Sequence, residues 1–219
     1  MIEKGIEIVD LTQPIETGMQ VYPGAENVKI ENCVDYKNDQ WHVDMLHIST
    51  HAGTHIDAPY HHIEKGKKID EFPLEKFTGV GIVCDLTGKE PMQQLEPQDF
   101  SAYDDLLDDV EIVVVKTGWE KYYGTKEYEN HPYLSEAAAR YLTKKGISIA
   151  AVDAFSLDST SLDTDHAHSV LLKNETLLVE NLRNLDSLTA GRKYVFSFMP
   201  LAVKGSDGSP IRAVCYAKK

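Results

Sequence analysis

The stretch HISTHAGTHIDAPYHH, His47 to His62, places five histidines and one aspartate within sixteen positions, with Gly53 and Pro59 among them. Two imidazoles and one carboxylate suit zinc or a similar divalent ion and leave at least one position for water. His51, His55 and Asp57 form such a set. A bound divalent metal lowers the pKa of its water toward about 7, and an unligated histidine nearby can pass protons to a leaving group. His61 is placed for that task, so the stretch reads as the core of a hydrolase. His47 and His62 within it, and His42 and His131 outside it, read as ordinary polar or hydrogen-bonded histidines.

Those side chains need an element to position them. A helix would align His51 with His55, but Thr50, Gly53, Thr54 and Ile56 are poor helix formers and Pro59 would break the helix. A strand or strand-to-loop segment places His51, Gly53, His55 and Asp57 on one side and turns Ala52, Thr54 and Ile56 toward a core. In an extended strand His55 and Asp57 are about 7 Å apart, whereas His51 and His55 are about 13 Å apart, a strained span for one ion. Gly53 lacks Cβ and can adopt a bulge or a positive φ, so a bend there is expected to bring His51 toward His55.

Beyond this stretch, GIEIVDL, NVKIENCV, GVGIVCDL, EIVVVKTGW, GISIAAVDAF, KYVFSFMPL and IRAVCYAK read as strands, several nearly continuous and therefore buried on both faces. SEAAARYLTKKG predicts a helix capped by Ser135 and ended by Gly146. A second helix is expected from Pro97 in EPQDFSAYDDLL. The acidic DDLLDDVE reads as a solvated helix end and loop. Strands with a few interspersed helices, in no regular alternation, predict an α/β domain built on a large mixed sheet. At 219 residues, with 42% hydrophobic residues, a single domain over 1–219 is expected.

A net charge of −13 argues against nucleic acid or anionic lipid as partner and favours a small molecule or a protein, and a small-molecule substrate is expected. No run approaches the roughly 18 apolar residues of a membrane span, and charges interrupt the N-terminal MIEKGIEIVDLTQP, so a cytoplasmic protein is expected. Cys33, Cys84 and Cys215 are widely separated and odd in number, which predicts buried reduced thiols.

The run from His51 to His61 fits H-x-G-T-H-x-D-x-P-x-H, and on it the chain resembles the cyclase family of metal-dependent hydrolases, which includes bacterial kynurenine formamidase and isatin hydrolase. DLTQPIETGMQVYPG and EIVVVKTGWEKYY resemble further segments of that family. HSVLLKNETLLVENL looks like its second metal-binding segment, in which a histidine precedes a glutamate by twelve positions. The resemblance implies ligand roles for His168 and Glu180, with one or two divalent ions, Asp57 and Glu180 bridging a second ion and His168 completing it. It also implies His61 as general acid/base, a swivelling β/β/α fold with a barrel-like sheet flanked by helices, and a homodimer or larger assembly. Tyr22, in VYPG, stands where kynurenine formamidases tend to carry a substrate-lining tryptophan. His166, two residues before His168, would share its side of a strand.

Other motifs fail on inspection. GVGIVCDL carries Cys84 where a dinucleotide fingerprint needs its third glycine, Ser148 in GISIA lies in a core strand, and DSTSLDTDHAHS has Asp163 where a calcium loop needs glycine. The expected activity is metal-dependent hydrolysis of an amide C–N bond, arylformamidase on N-formylkynurenine first, with zinc the first expectation and manganese the next. The alternatives are hydrolysis of a cyclic amide, lactone or ester, and a metal-binding protein without catalysis. The open set of His and carboxylate ligands, with His61 to spare, favours catalysis over a closed structural site.

Overall fold

The nearly continuous apolar runs form the middle of a nine-stranded mixed sheet in the computed structural model of the chain, which describes residues 5–218. In chain order the strands are β1 (Ile6–Asp10), β2 (Lys29–Val34), β3 (Val43–His47), β4 (His55–Asp57), β5 (Thr78–Asp85), β6 (Gln94–Leu95) and β7 (Ile112–Lys116). They continue as β8 (Tyr133–Leu134), β9 (Ile149–Val152), β10 (Leu177–Glu180), β11 (Lys193–Ser197), β12 (Gly208–Pro210) and β13 (Val214–Lys218). The α-helices are α1 (Asp104–Leu107), α2 (Glu136–Lys144) and α3 (His166–Lys173). The sheet runs β1-β13-β11-β5-β7-β9-β10-β4-β12, while β2 pairs with β3 and β6 with β8 in small separate sheets.

β5, β7, β9 and β10 are parallel neighbours, and strands in that arrangement need cover on both faces. Ile82, Cys84, Val113, Val115, Ala150 and Val152 pack against Ala138, Leu142 and Leu171 of α2 and α3. The alternate residues, Val83, Val114, Ile149 and Ala151 among them, face Ile56, Phe77, Phe196 and Phe198 on the other side. That second face is enclosed because the sheet curls. Beyond β1, Thr12 bridges to Leu182 beyond β10, and the Arg183 N–H donates to Leu11 O at 3.1 Å. The result is a single-domain α/β fold with a curled, half-barrel mixed sheet and few helices, in line with the barrel-like sheet expected.

Ser135 caps α2 by accepting the Ala138 N–H at 3.1 Å, and Gly146 follows the helix with φ +77°, as its sequence predicts. The helix expected from Pro97 is mostly a 3-10 segment, Pro97–Tyr103, with α1 as one turn after it. Asp99, Phe100, Ser101 and Tyr103 are weak α formers, which leaves the tighter hydrogen bonding in place. Cys84 and Cys215 are buried thiols, but Cys33 is exposed, because it lies on the β2–β3 hairpin outside the core. Among the described residues no helix is long and apolar enough to cross a membrane; Met1–Lys4 of the charged N-terminal stretch lie outside them.

Gly81 lies at a close backbone approach in the sheet, where a Cβ would lie 2.6 Å from Ile112 O and 2.9 Å from Phe196 Cδ2. Gly81→Ala is expected to destabilise the protein by about 1–3 kcal/mol through overpacking, read as a lower urea midpoint at unchanged m-value.

Candidate functional site

β4 has three residues, all buried, and it lies between β10 and β12, antiparallel to both. Its alternation sends Ile56 into the core inside the curl and His55 and Asp57 to the opposite face. Register places Glu180 directly opposite His55, so their side chains emerge on the same face. Gly208 lies opposite Asp57 on the other side. A Cβ on Gly208 would meet Ile56 O at 2.7 Å and His51 Cε1 at 3.1 Å, so only glycine leaves room there for the His51 ring.

His51 reaches the cluster through a turn. The strand covers only His55–Asp57, not residues 51–57 as alternation alone predicted, and Gly53 bends the chain before it at φ +63°. The expected kink is present, and the His51 and His55 ring centroids are 5.2 Å apart. His51 Nδ1 lies 2.7 Å from Asp57 Oδ1 and its Nε2 lies 2.8 Å from Asp207 Oδ2.

His168 arrives on α3, which corrects the strand expected for His166 and His168. The Asp158 carboxylate accepts the Ala167 and His168 N–H groups at 2.9 and 2.8 Å and so satisfies the first turn of the helix. Two residues apart on a helix point in nearly opposite directions. His166 Nε2–H accordingly donates to Leu134 O at 2.7 Å, while His168 faces the cluster. His168 Nδ1–H donates to Asp158 at 2.8 Å and His55 Nδ1–H to Gly53 O at 2.8 Å. In both rings the neutral form then has its lone pair on Nε2. His55 Nε2 lies 3.4 Å from both Asp57 and Glu180, and His168 Nε2 lies 3.6 and 3.5 Å from the same two carboxylates.

His51, His55 and Asp57 present ligand atoms within 4.8 Å of one another, and so do Asp57, His168 and Glu180. Asp57 belongs to both sets. It is fully buried, and its Oδ2 has no hydrogen-bond partner. A buried carboxylate oxygen without a donor is destabilising unless a cation meets it. Unpartnered oxygen, Nε2 lone pairs and carboxylates converging on one volume are the donor set of a divalent-metal site.

The electrostatics follow. Burial opposes charge on His51, but Asp57 and Asp207 outweigh it and raise the imidazole to about 10. His168 is likewise raised against burial, by Asp158, Asp57 and Glu180. Burial opposes the charge on Asp57 too, yet the His55 and His51 charges hold its carboxyl well below the usual range. His61 goes the other way, lowered by burial, and His62 falls to about 4 through burial and the His168 charge.

A cavity of about 490 Å³ opens onto this cluster, lined by Tyr22, Phe155, His61, His62, His168 and Glu180 among others. Tyr22 meets Phe155 edge-on at 6.0 Å, which adds aromatic surface to the cavity lining. His62, expected as an ordinary polar histidine, lines the cavity with its ring stacked on His168 at 4.6 Å. The other histidines stay outside. His42 pairs with Asp44 and His47 with Glu31 on the hairpin, and buried His131 bonds Thr160 at 2.8 Å. Asp158 and Asp207 were not singled out from sequence; neither lies within a recognisable ligand spacing, and only folding brings them to His168 and His51.

The family model Cyclase, described as "Putative cyclase", matches residues 9–159, and the chain belongs to that family. A kynurenine formamidase from Bacillus cereus is 31% identical over 213 residues, covering 96% of this chain and 98% of its own. Isatin hydrolase A from Labrenzia aggregata superimposes with a TM-score of 0.86 at 24% identity, covering 98% of this chain and 95% of its own. A structure described as a potential metal-dependent hydrolase with cyclase activity gives a TM-score of 0.79 at 25% identity, over 98% and 99%.

The metal-free protein has a stability that depends on these imidazoles. A histidine whose folded pKa is raised adds stability that is complete below its unfolded value near 6.5 and is lost as pH climbs through the folded value, about 10 for His51. Chelator-treated protein is therefore expected to lose roughly 10 °C in Tm between pH 6.5 and 10, followed by differential scanning fluorimetry. His62 has the opposite sign, since its pKa is depressed to about 4, so its contribution is lost as pH falls from 6.5 toward 4. Added divalent metal is expected to remove most of the alkaline loss by replacing the protons.

Proposed function

We propose that the protein is a metal-dependent hydrolase that cleaves the C–N bond of an amide, with an arylformamide such as N-formylkynurenine as its substrate. The observation that carries this reading is the fully buried Asp57, whose Oδ1 faces His55 Nε2 and whose Oδ2, without a hydrogen-bond partner, faces His168 Nε2, behind a cavity lined by His55, His168, Glu180 and His61. The full-length similarity to kynurenine formamidases supports the substrate class. His51, His55, Asp57, His168 and Glu180 would hold one or two ions, zinc before manganese given the imidazole and carboxylate donors. When bound, a divalent metal supplies Lewis-acid polarisation of a carbonyl and activation of water.

The remaining work falls to the chain itself. His61 lines the cavity and stays neutral because burial lowers it, so it can accept a proton from attacking water and deliver it to the departing nitrogen. The C–O bond to water forms first, the C–N bond then breaks as the nitrogen takes the proton, and an aryl formamide yields formate and the arylamine. Tyr22 and Phe155 offer an edge and a face to an aromatic ring, which suits an aryl substrate. A homodimer or larger assembly belongs to the same proposal and rests on the family resemblance. Ring opening of a cyclic amide or a lactone would use the same groups, so the substrate is tested directly.

Purified protein is expected to hydrolyse N-formylkynurenine in preference to isatin and simple lactones, with activity lost on chelation and restored by zinc or manganese. Absence of chelator-sensitive turnover on all of them would overturn the hydrolase reading. His61→Ala is expected to keep its metal and lose about 10²- to 10⁴-fold in kcat, while Asp57→Ala loses metal and activity together. Metal content by mass spectrometry beside steady-state kinetics checks both, and unchanged activity in His61→Ala would favour a metal-binding protein without catalysis by this residue.

A further inference from the structure

Asp207 lies far along the chain from the histidine stretch, yet its carboxylate sits between two of the histidines. Oδ2 is 2.8 Å from His51 Nε2 and 3.4 Å from His61 Nδ1. The two rings stack at 3.9 Å with 29° between their planes. The Thr50 hydroxyl donates to Oδ1 at 3.1 Å, and the Ala58 N–H donates to the Asp207 carbonyl at 2.8 Å. Side chain and backbone are thus both tied to the segment that carries the histidines. Gly208, whose lack of a side chain lets this backbone close onto β4, completes the anchor.

We infer that Asp207 is a positioning residue for proton transfer, which holds the Nδ1–H of His61 and so leaves the Nε2 lone pair as the accepting atom. The reason is the donor and acceptor inventory. An ionised carboxylate only accepts, so a neutral imidazole that turns Nδ1 toward it must carry its single proton there. The other nitrogen, across the ring, is then free for the cavity that His61 lines. The 3.4 Å separation is at the long end for such a contact, as hydrogen bonds of catalytic groups commonly are before substrate tightens them. The same oxygen takes the Nε2–H of His51, which turns His51 Nδ1 toward Asp57. One carboxylate therefore orients a candidate ligand and the proton-transfer group together, in the manner by which a carboxylate fixes ring and tautomer in other histidine sites.

The inference rests on His61 as the proton-transfer residue, and the experiment separates the two. Full-length protein labelled with ¹⁵N-histidine is examined metal-free by two-bond ¹H–¹⁵N correlation at a pH where His61 is neutral, with His61→Gln identifying the His61 signals. The wild type is expected to show the Nδ1–H tautomer at His61. Asp207→Asn is expected to shift His61 toward the Nε2–H tautomer and to lower kcat about 10²-fold at constant metal content, with KM changed less than about threefold. Asp207→Glu should recover part of both. An Nε2–H tautomer in the wild type overturns the inference without any variant being needed. So does Asp207→Asn with unaltered tautomer and kcat, or one whose lost activity follows lost metal, which would make Asp207 a ligand instead. Full activity in His61→Gln overturns the underlying proton-transfer reading, whatever Asp207 does.

Discussion

Two carboxylates, Asp57 and Glu180, are buried side by side in this protein, and most of the local architecture can be understood as a response to them. Removing an ionised carboxylate from water is strongly unfavourable unless positive charge or hydrogen-bond donors meet it. Here the matching groups are imidazoles: His51 at 2.7 Å from Asp57, and His55 and His168 each facing both acids. The match is incomplete, since Asp57 Oδ2 has no donor. An arrangement whose own groups leave an oxygen unanswered at its centre is one that a cation completes.

The fold supplies that centre by ending strands in the right place. β10 delivers Glu180 at its final residue, β4 delivers His55 and Asp57 beside it, and α3 brings His168 from the layer that covers this face of the sheet. Each candidate histidine ligand is held by a further group. Gly53 O fixes His55, Asp158 fixes His168, and Asp207 fixes His51. Fixing Nδ1–H on His55 and His168 turns the lone pairs inward, which is as necessary for binding as the presence of the rings. Asp158 does this while also satisfying the first amides of α3, so helix formation and ligand orientation depend on one side chain.

The cavity wall obeys a different electrostatic rule. His51 and His168 sit against carboxylates and are raised, whereas half-buried His61 and the more exposed His62 are partly withdrawn from water near those same positive rings and are lowered. Neutral imidazoles at the wall and charge-matched ones at the base divide the histidines into two chemical populations within a few ångströms. Tyr22 and Phe155 add aromatic surface to the same lining, so the cavity offers both polar groups and ring faces.

The part of the site written within eleven residues was legible in the sequence. His51, His55, Asp57 and His61 lie so close in the chain that alternation and one glycine bend limit how they can meet, and the bend at Gly53 stands where its missing Cβ predicts. The central strands were legible for the same local reason, because continuous β-branched runs buried on both faces have few other uses. His168 and Glu180 entered through family resemblance, and the segment of His168 was misread as strand, because the carboxylate that caps its helix lies outside the helix and acts only once folded. The placements of Asp207 and His62 could not be read at all. They depend on the pairing of β12 with β4 and on the seating of α3 over β10, and such register is set by the packing of the whole sheet. The sequence alone thus determined the chemistry of the donors and the local bend that gathers them. Tertiary structure decided which distant carboxylates and imidazoles complete the site and which nitrogen of each ring faces it.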